Sequence, residues 1–113
     1  MITIYHNPRC SKSRQGLAIV EASGKQYEIV KYLDEPISEE KLSEIIKTLG
    51  IQPIDLVRKN ESIWKEHYKG KDLSPGQVIA AMAKYPKLME RPIVVHGKKA
   101  VVGRPPESIS EIL

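Results

Sequence analysis

Apolar and polar positions alternate at the start of the chain, Ile2-Thr3-Ile4-Tyr5, and this period of two predicts a short strand. From Ser11 the period lengthens: Leu17, Ile19, Val20 and Ala22 recur at helical spacing until Ser23-Gly24 ends the run. Between Gln26 and Leu33 the apolar residues Tyr27, Ile29, Val30 and Tyr32 restore a strand pattern. The first third therefore reads β-α-β, a unit that normally places its two strands in parallel.

The middle of the chain is helical in pattern. Ser38 is the predicted N-cap of a helix, with Lys41 where a capping box would carry Glu, and Leu42, Ile45, Ile46 and Leu49 form one apolar face closed by Gly50. Three shorter helical segments follow, at Ile54 to Lys59, Glu61 to Tyr68, and Ser74 to Lys84. The last of them has Ser74 as cap and Pro75 at N1, and Pro86 halts it. Ile93-Val94-Val95 and Ala100-Val101-Val102 then flank a turn at Gly97 and predict a β-hairpin, and Arg104-Pro105-Pro106-Glu107 opens a closing helix to Leu113. The order β-α-β, helical block, β-β-α is an α/β arrangement of the thioredoxin type: one domain over residues 1–113 with a helical subdomain inserted at about 38–90. In such a fold, Arg91-Pro92 stands where a cis-proline faces the thiol.

The predicted junction between the first strand and the first helix holds His6-Asn7-Pro8-Arg9-Cys10-Ser11-Lys12-Ser13-Arg14, with the only cysteine in the chain. A thiol on the first turn of a helix meets unpaired backbone N–H groups and the positive end of the helix dipole, both of which favour thiolate. Arg9, Lys12 and Arg14 add positive charge. The Ser13 hydroxyl, one helical turn on, can turn toward the sulfur, and His6 is close enough to polarise the thiol or to orient Asn7. A small buried hydrophobe is the ordinary fate of a free cysteine, but these polar and cationic neighbours argue for a nucleophile. Arg58, Arg91 and Arg104 each lie at a predicted junction, and three guanidinium forks facing one rim suit a tetrahedral oxyanion. His67 and His96 stand apart from each other and from acid pairs of metal-ligand spacing, so they read as surface residues and no metal site is expected.

Composition narrows the class further. The lone cysteine excludes an internal disulfide framework, so any redox cycle must borrow a second thiol. The net charge of +4 suits an anionic partner, but cations and acids are interspersed, Phe is absent and aromatics make up 5% of residues. That pattern favours a small oxyanion over nucleic acid. No stretch of about 18 apolar residues is present and the N-terminus lacks a secretory layout, so a cytoplasmic protein without a membrane partner is expected.

Four blocks, His6 to Ser13, Leu56-Val57-Arg58-Lys59-Asn60-Glu61, Arg91-Pro92-Ile93-Val94-Val95 and Gly103-Arg104-Pro105-Pro106, together resemble the glutaredoxin-coupled arsenate reductase family (ArsC type) over nearly the whole chain. The resemblance is to a sister branch, with Cys-Ser-Lys-Ser at 10–13 where the best-known reductases have Cys-Gly-Thr-Ser. It implies a thioredoxin-like domain with a helical insertion. Cys10 would be the catalytic nucleophile, His6 and Ser13 would stabilise its thiolate, and Arg58, Arg91 and Arg104 would bind arsenate or a similar oxyanion. No bound cofactor is implied; glutathione is the co-substrate, glutaredoxin the protein partner, and a monomer is expected. Two rivals remain: a non-enzymatic regulator of the same superfamily that binds RNA polymerase, and a monothiol glutaredoxin-like iron-sulfur carrier, which shares the Cys10-x-x-Ser13 spacing. Ser13 in place of a second cysteine counts against a redox-switch regulator. The helical block and the absence of Gly-Phe after the cysteine count against the carrier.

Overall fold

A computed structural model describes residues 1–113. The strands are β1 (Ile2–Tyr5), β2 (Tyr27–Val30), β3 (Ile93–His96) and β4 (Lys99–Val102); the α-helices are α1 (Ser11–Ala22), α2 (Glu39–Leu49), α3 (Ser62–His67) and α4 (Pro75–Lys84). Single 3-10 segments lie at Pro53–Leu56, Pro86–Leu88 and Pro106–Ile112. The chain divides into two compact units, residues 1–35 with 91–113, and residues 36–90.

The first unit is built on a four-stranded sheet in the order β2-β1-β3-β4. β1 pairs in parallel with β2, Ile2 opposite Tyr27 and Ile4 opposite Ile29, through the α1 crossover that parallel strands require. β3 runs antiparallel to β1 and to β4, the latter pairing closed by the turn at Gly97, whose φ of 63° suits glycine. Ile2, Ile4, Val20, Val94 and Ile109 form a fully buried cluster, with Leu17, Ile19, Tyr27, Val101 and Ile112 packed against it. This α/β architecture is thioredoxin-like, with the helical segment 36–90 between the β-α-β and β-β parts.

Two glycines set how tightly this layer closes. A Cβ on Gly16 of α1 would come within 2.7 Å of Pro92 Cγ and 2.9 Å of Ile109 Cδ1, and one on Gly103 would sit 2.9 Å from both of those atoms. Gly16→Ala therefore pits a helix-propensity gain of about 1 kcal/mol against an overpacking loss of about 1–3 kcal/mol. The clash involves a rigid proline ring, so a net loss of stability in urea unfolding is expected. Gly76→Ala in the first turn of α4, where a Cβ meets nothing within 4 Å, should instead stabilise.

In the second unit, Ser38 caps α2 by accepting the Lys41 N–H at 3.1 Å, and Gly50 ends the helix at φ 70°. Ser74 and Gln77 cap α4 reciprocally, with Pro75 at N1. Two expectations are corrected. The segment Ile54 to Lys59 is a single 3-10 turn at Pro53–Leu56, after which Val57 turns extended and bridges Met89. Hydrogen bonds from Arg58 N–H to the Leu88 carbonyl and from Glu90 N–H to the Leu56 carbonyl hold that pairing in place of a helix. The closing helix to Leu113 is 3-10 throughout, in a stretch that starts from Pro105-Pro106 and has no basic residue in its last turn. No helix is long and apolar enough to cross a membrane.

Candidate active site

Cys10 stands immediately before α1, whose first residue is Ser11. It is the N-cap of α1, extended at φ −96° and ψ 124°, and its carbonyl accepts the first helical bond, from Arg14 N–H at 3.0 Å. The cap position is where a Ser or Asp side chain would accept the N–H groups of N2 or N3. Here those residues are Lys12 and Ser13; the Cys10 side chain makes no cap hydrogen bond of ordinary geometry, but both N–H groups lie near enough to favour its thiolate. No acidic residue stands in the first turn to compete for these donors.

Two guanidinium groups of the same unit converge on the thiol. Arg104 donates from Nη2 to Cys10 Sγ at 3.5 Å, and its Nε donates to the Arg91 carbonyl at 2.8 Å, which fixes the direction of the fork. Arg91 carries its charge beside the thiol and favours the thiolate, and its Nε is buried with no hydrogen-bond partner. Both arginines precede prolines, and the peptide bonds Arg91–Pro92 and Arg104–Pro105 are both cis; the second has no counterpart in the expectations from sequence. Burial pushes the Cys10 thiol up. The Ser13 N–H, the Arg91 guanidinium and the Lys12 N–H push it down, and the outcome is a thiol below its ordinary range.

The side chains of His6 and Ser13 are brought together, but neither hydrogen-bonds the sulfur. Ser13, fully buried, has its hydroxyl 2.6 Å from His6 Nδ1 and accepts the Asn7 N–H at 3.0 Å. Its contribution to the thiol comes from the backbone N–H, in place of the hydroxyl contact expected from the one-turn spacing. His6 is 4% exposed. Burial lowers its pKa, the Lys31 and Arg14 charges lower it further, and Ser13 and Glu21 oppose them only in part. The imidazole is therefore neutral near pH 7, so it acts on the loop by hydrogen bonding and supplies no positive charge to a thiolate.

Arg58 belongs to the second unit. Its N–H donates to the Leu88 carbonyl at 2.7 Å, and its guanidinium pairs with Glu61 at 3.8 Å while Nη1, buried, has no hydrogen-bond partner. That unit also has an open depression of about 500 Å³ lined by Glu39, Glu40, Ser43, Glu44, Gly76 and Ile79, whose three carboxylates would repel an oxyanion. His96 departs from its expected surface role, since Nδ1 bonds the Ile112 carbonyl at 2.7 Å and ties β3 to the C-terminal turn. His67 is exposed and stacks on Tyr85. The residue that sequence reading passed over is Asn7, 8% exposed, whose side chain accepts the Arg9 N–H at 3.1 Å. Its signal was an amide two residues before an N–H at a turn, the spacing of an Asx turn.

A cysteine capping the first helix of a β-α-β unit, in a sheet completed by a β-hairpin that a cis-proline opens, marks a thioredoxin-like protein. The ArsC family model matches residues 5–112, and the chain belongs to that family. The chain is 45% identical to the protein YfgD of Escherichia coli (strain K12) over 114 residues, covering 99% of this chain and 96% of that protein. It is 42% identical to the arsenate reductase of Haemophilus influenzae, with 99% and 98% covered. Among solved structures, the arsenate reductase from Vibrio cholerae superposes with a TM-score of 0.94 at 45% identity, covering 99% of this chain and 97% of that one.

Proposed function

We propose that this chain reduces arsenate to arsenite with electrons from glutathione, using Cys10 as the nucleophile. The observation that carries the reading is the thiol at the N-cap of α1, held below its ordinary range, with Arg104 on its sulfur and the Arg91 charge beside it. The same donors that stabilise a thiolate suit the oxygens of a tetrahedral oxyanion brought against it. Arg58 is proposed as a third ligand on the strength of the Leu56 to Glu61 block in the family resemblance.

The chemistry follows from having one cysteine. The Cys10 thiolate attacks arsenic and one arsenate oxygen leaves as water, giving a sulfur-arsenic bond with arsenic still pentavalent. Glutathione thiolate then attacks the Cys10 sulfur, and the sulfur-arsenic bonding pair stays on arsenic. Arsenite leaves, reduced by two electrons, and a Cys10–glutathione disulfide remains. Glutaredoxin attacks the glutathione sulfur of that disulfide and returns Cys10 as thiolate. A cytoplasmic setting, where the glutathione pool is reduced, supplies both thiols.

The test is arsenite formation by the purified protein with arsenate, glutathione and glutaredoxin, each omitted in turn. Multiple turnovers are expected only when all three are present. Absence of arsenite with all three, from protein whose thiol alkylates normally, overturns arsenate as the substrate. Turnover without glutathione overturns the thiol sequence.

A further inference from the structure

Between β1 and α1 the chain must place one sulfur against the amides of Lys12 and Ser13 while leaving its other face open to a substrate. Three hydrogen bonds of Asn7 define the turn that does so. Its Oδ1 accepts the Arg9 N–H at 3.1 Å, its carbonyl accepts the Cys10 N–H at 3.0 Å, and its own N–H donates to Ser13 Oγ at 3.0 Å. The two N–H groups immediately before the helix are thereby turned back onto Asn7. The next donors in the chain, those of the first helical turn, are left to face the sulfur. The carbonyl of Pro8, between them, is held from the helix by Arg14 Nη1 at 2.8 Å.

We propose that Asn7 is the positioning residue of the reactive thiol: its main-chain N–H is anchored by the Ser13 hydroxyl, which rests on His6, and its side-chain carbonyl closes the turn that fixes Cys10 at the cap of α1. Pro8 has no N–H, so the first donor after Asn7 is that of Arg9, and the short amide side chain reaches it in an Asx turn. Cys10 is then extended with its carbonyl entering the helix, which is the geometry a cap needs. Aspartate would close the same turn, but its charge would stand beside a thiolate and an incoming oxyanion. The neutral amide closes the turn without that repulsion. Asn7 touches neither sulfur nor substrate, so its influence passes through the position of Cys10.

The proposal rests on Cys10 as the nucleophile, and its test uses neither arsenate nor glutathione. The pH dependence of Cys10 alkylation by iodoacetamide is measured for the wild type, Asn7→Ala and Asn7→Ser, with circular dichroism as the check on folding. Asn7→Ala should move the midpoint up by about one pH unit, a tenfold change in the thiolate-to-thiol ratio below it. Asn7→Ser retains a weaker acceptor for the Arg9 N–H and should fall between alanine and wild type. A folded Asn7→Ala protein with the wild-type midpoint overturns the proposal. If Asn7→Ala does not fold, Asn7→Ser decides: a raised midpoint supports the role and an unchanged one overturns it. Absence of arsenate turnover by the wild-type protein, with the variants' midpoints raised as expected, would count against the arsenate reading alone.

Discussion

Cys10→Ser is expected to reduce arsenite formation to the uncatalysed rate, a loss of roughly 10³-fold or more, while leaving the protein as stable as the wild type or more so. Both halves follow from the position of the residue. The hydroxyl stays protonated at neutral pH and offers arsenic no sulfur to oxidise, so the two electrons have no route. As an N-cap, however, serine ranks among the best residues, and its oxygen accepts the N–H groups of the first turn more readily than a thiol does. A gain of about 0.5–1 kcal/mol in urea unfolding is expected at acid pH, below the titration of the wild-type thiol. Because the folded-state pKa of Cys10 is depressed, the wild type gains stability as pH rises through that value, fully by about 8.5, the unfolded value. The stability gap between the two proteins should therefore narrow from pH 5 to pH 9. A variant that loses activity by unfolding would show the opposite sign at acid pH.

The elements whose residues carry their own start and stop signals were legible from the sequence. Ser38 and Gly50 bound α2 within a residue of its observed ends, and Ser74-Pro75 does the same for α4. β1, β3 and β4 stood out because alternation or a short β-branched run sat beside a turn. The signal was weakest where long-range pairing decides the backbone. At Val57 to Lys59 the local composition permits a helix, but Val57 bridges Met89 and the Leu88 carbonyl takes the Arg58 N–H, and no feature within the segment announces a partner some thirty residues away. The second strand ends at Val30, three residues short of its expected extent, because the chain turns at Lys31, whose carbonyl accepts the N–H groups of both Asp34 and Glu35. Tyr32 is buried there outside the sheet, so its place in the alternation was coincidental.

At the site, chemistry was easier to read than geometry. One cysteine at a strand-to-helix junction among cations identifies a candidate thiol, and the two arginines before prolines fall beside it in the first unit. Spacing alone could not say which atoms of Ser13 serve the sulfur. A residue three positions on in a helix offers both its side chain and its N–H, and the choice depends on where the side chain finds a better partner. Burial beside His6 makes that choice for the hydroxyl, leaving the N–H for the cap. The same burial makes His6 a neutral hydrogen-bonding anchor.

Arg91 should have the largest effect after the cysteine itself, and two substitutions separate its two contributions. Its carbonyl, which accepts Arg104 Nε, is main chain and survives either change, so the Arg104 fork keeps its direction. Arg91→Ala removes the guanidinium charge from beside the thiol and leaves burial, the largest influence on Cys10, less opposed. The alkylation midpoint should rise toward the ordinary thiol range of about 8.5, and reactivity at pH 7 should fall by about an order of magnitude. Arg91→Lys keeps a charge near the sulfur, so its midpoint should move less. What lysine cannot reproduce is the planar fork: a bidentate, charge-assisted contact to an oxyanion is worth about 1.5–3 kcal/mol, so the KM for arsenate should rise roughly 10- to 100-fold. Arsenate should accordingly protect the wild-type thiol from alkylation at concentrations that leave the lysine variant unprotected. If Arg91→Lys raised the midpoint as far as alanine and left KM unchanged, Arg91 would be a thiol ligand alone, and the oxyanion would have to be held by the remaining arginines.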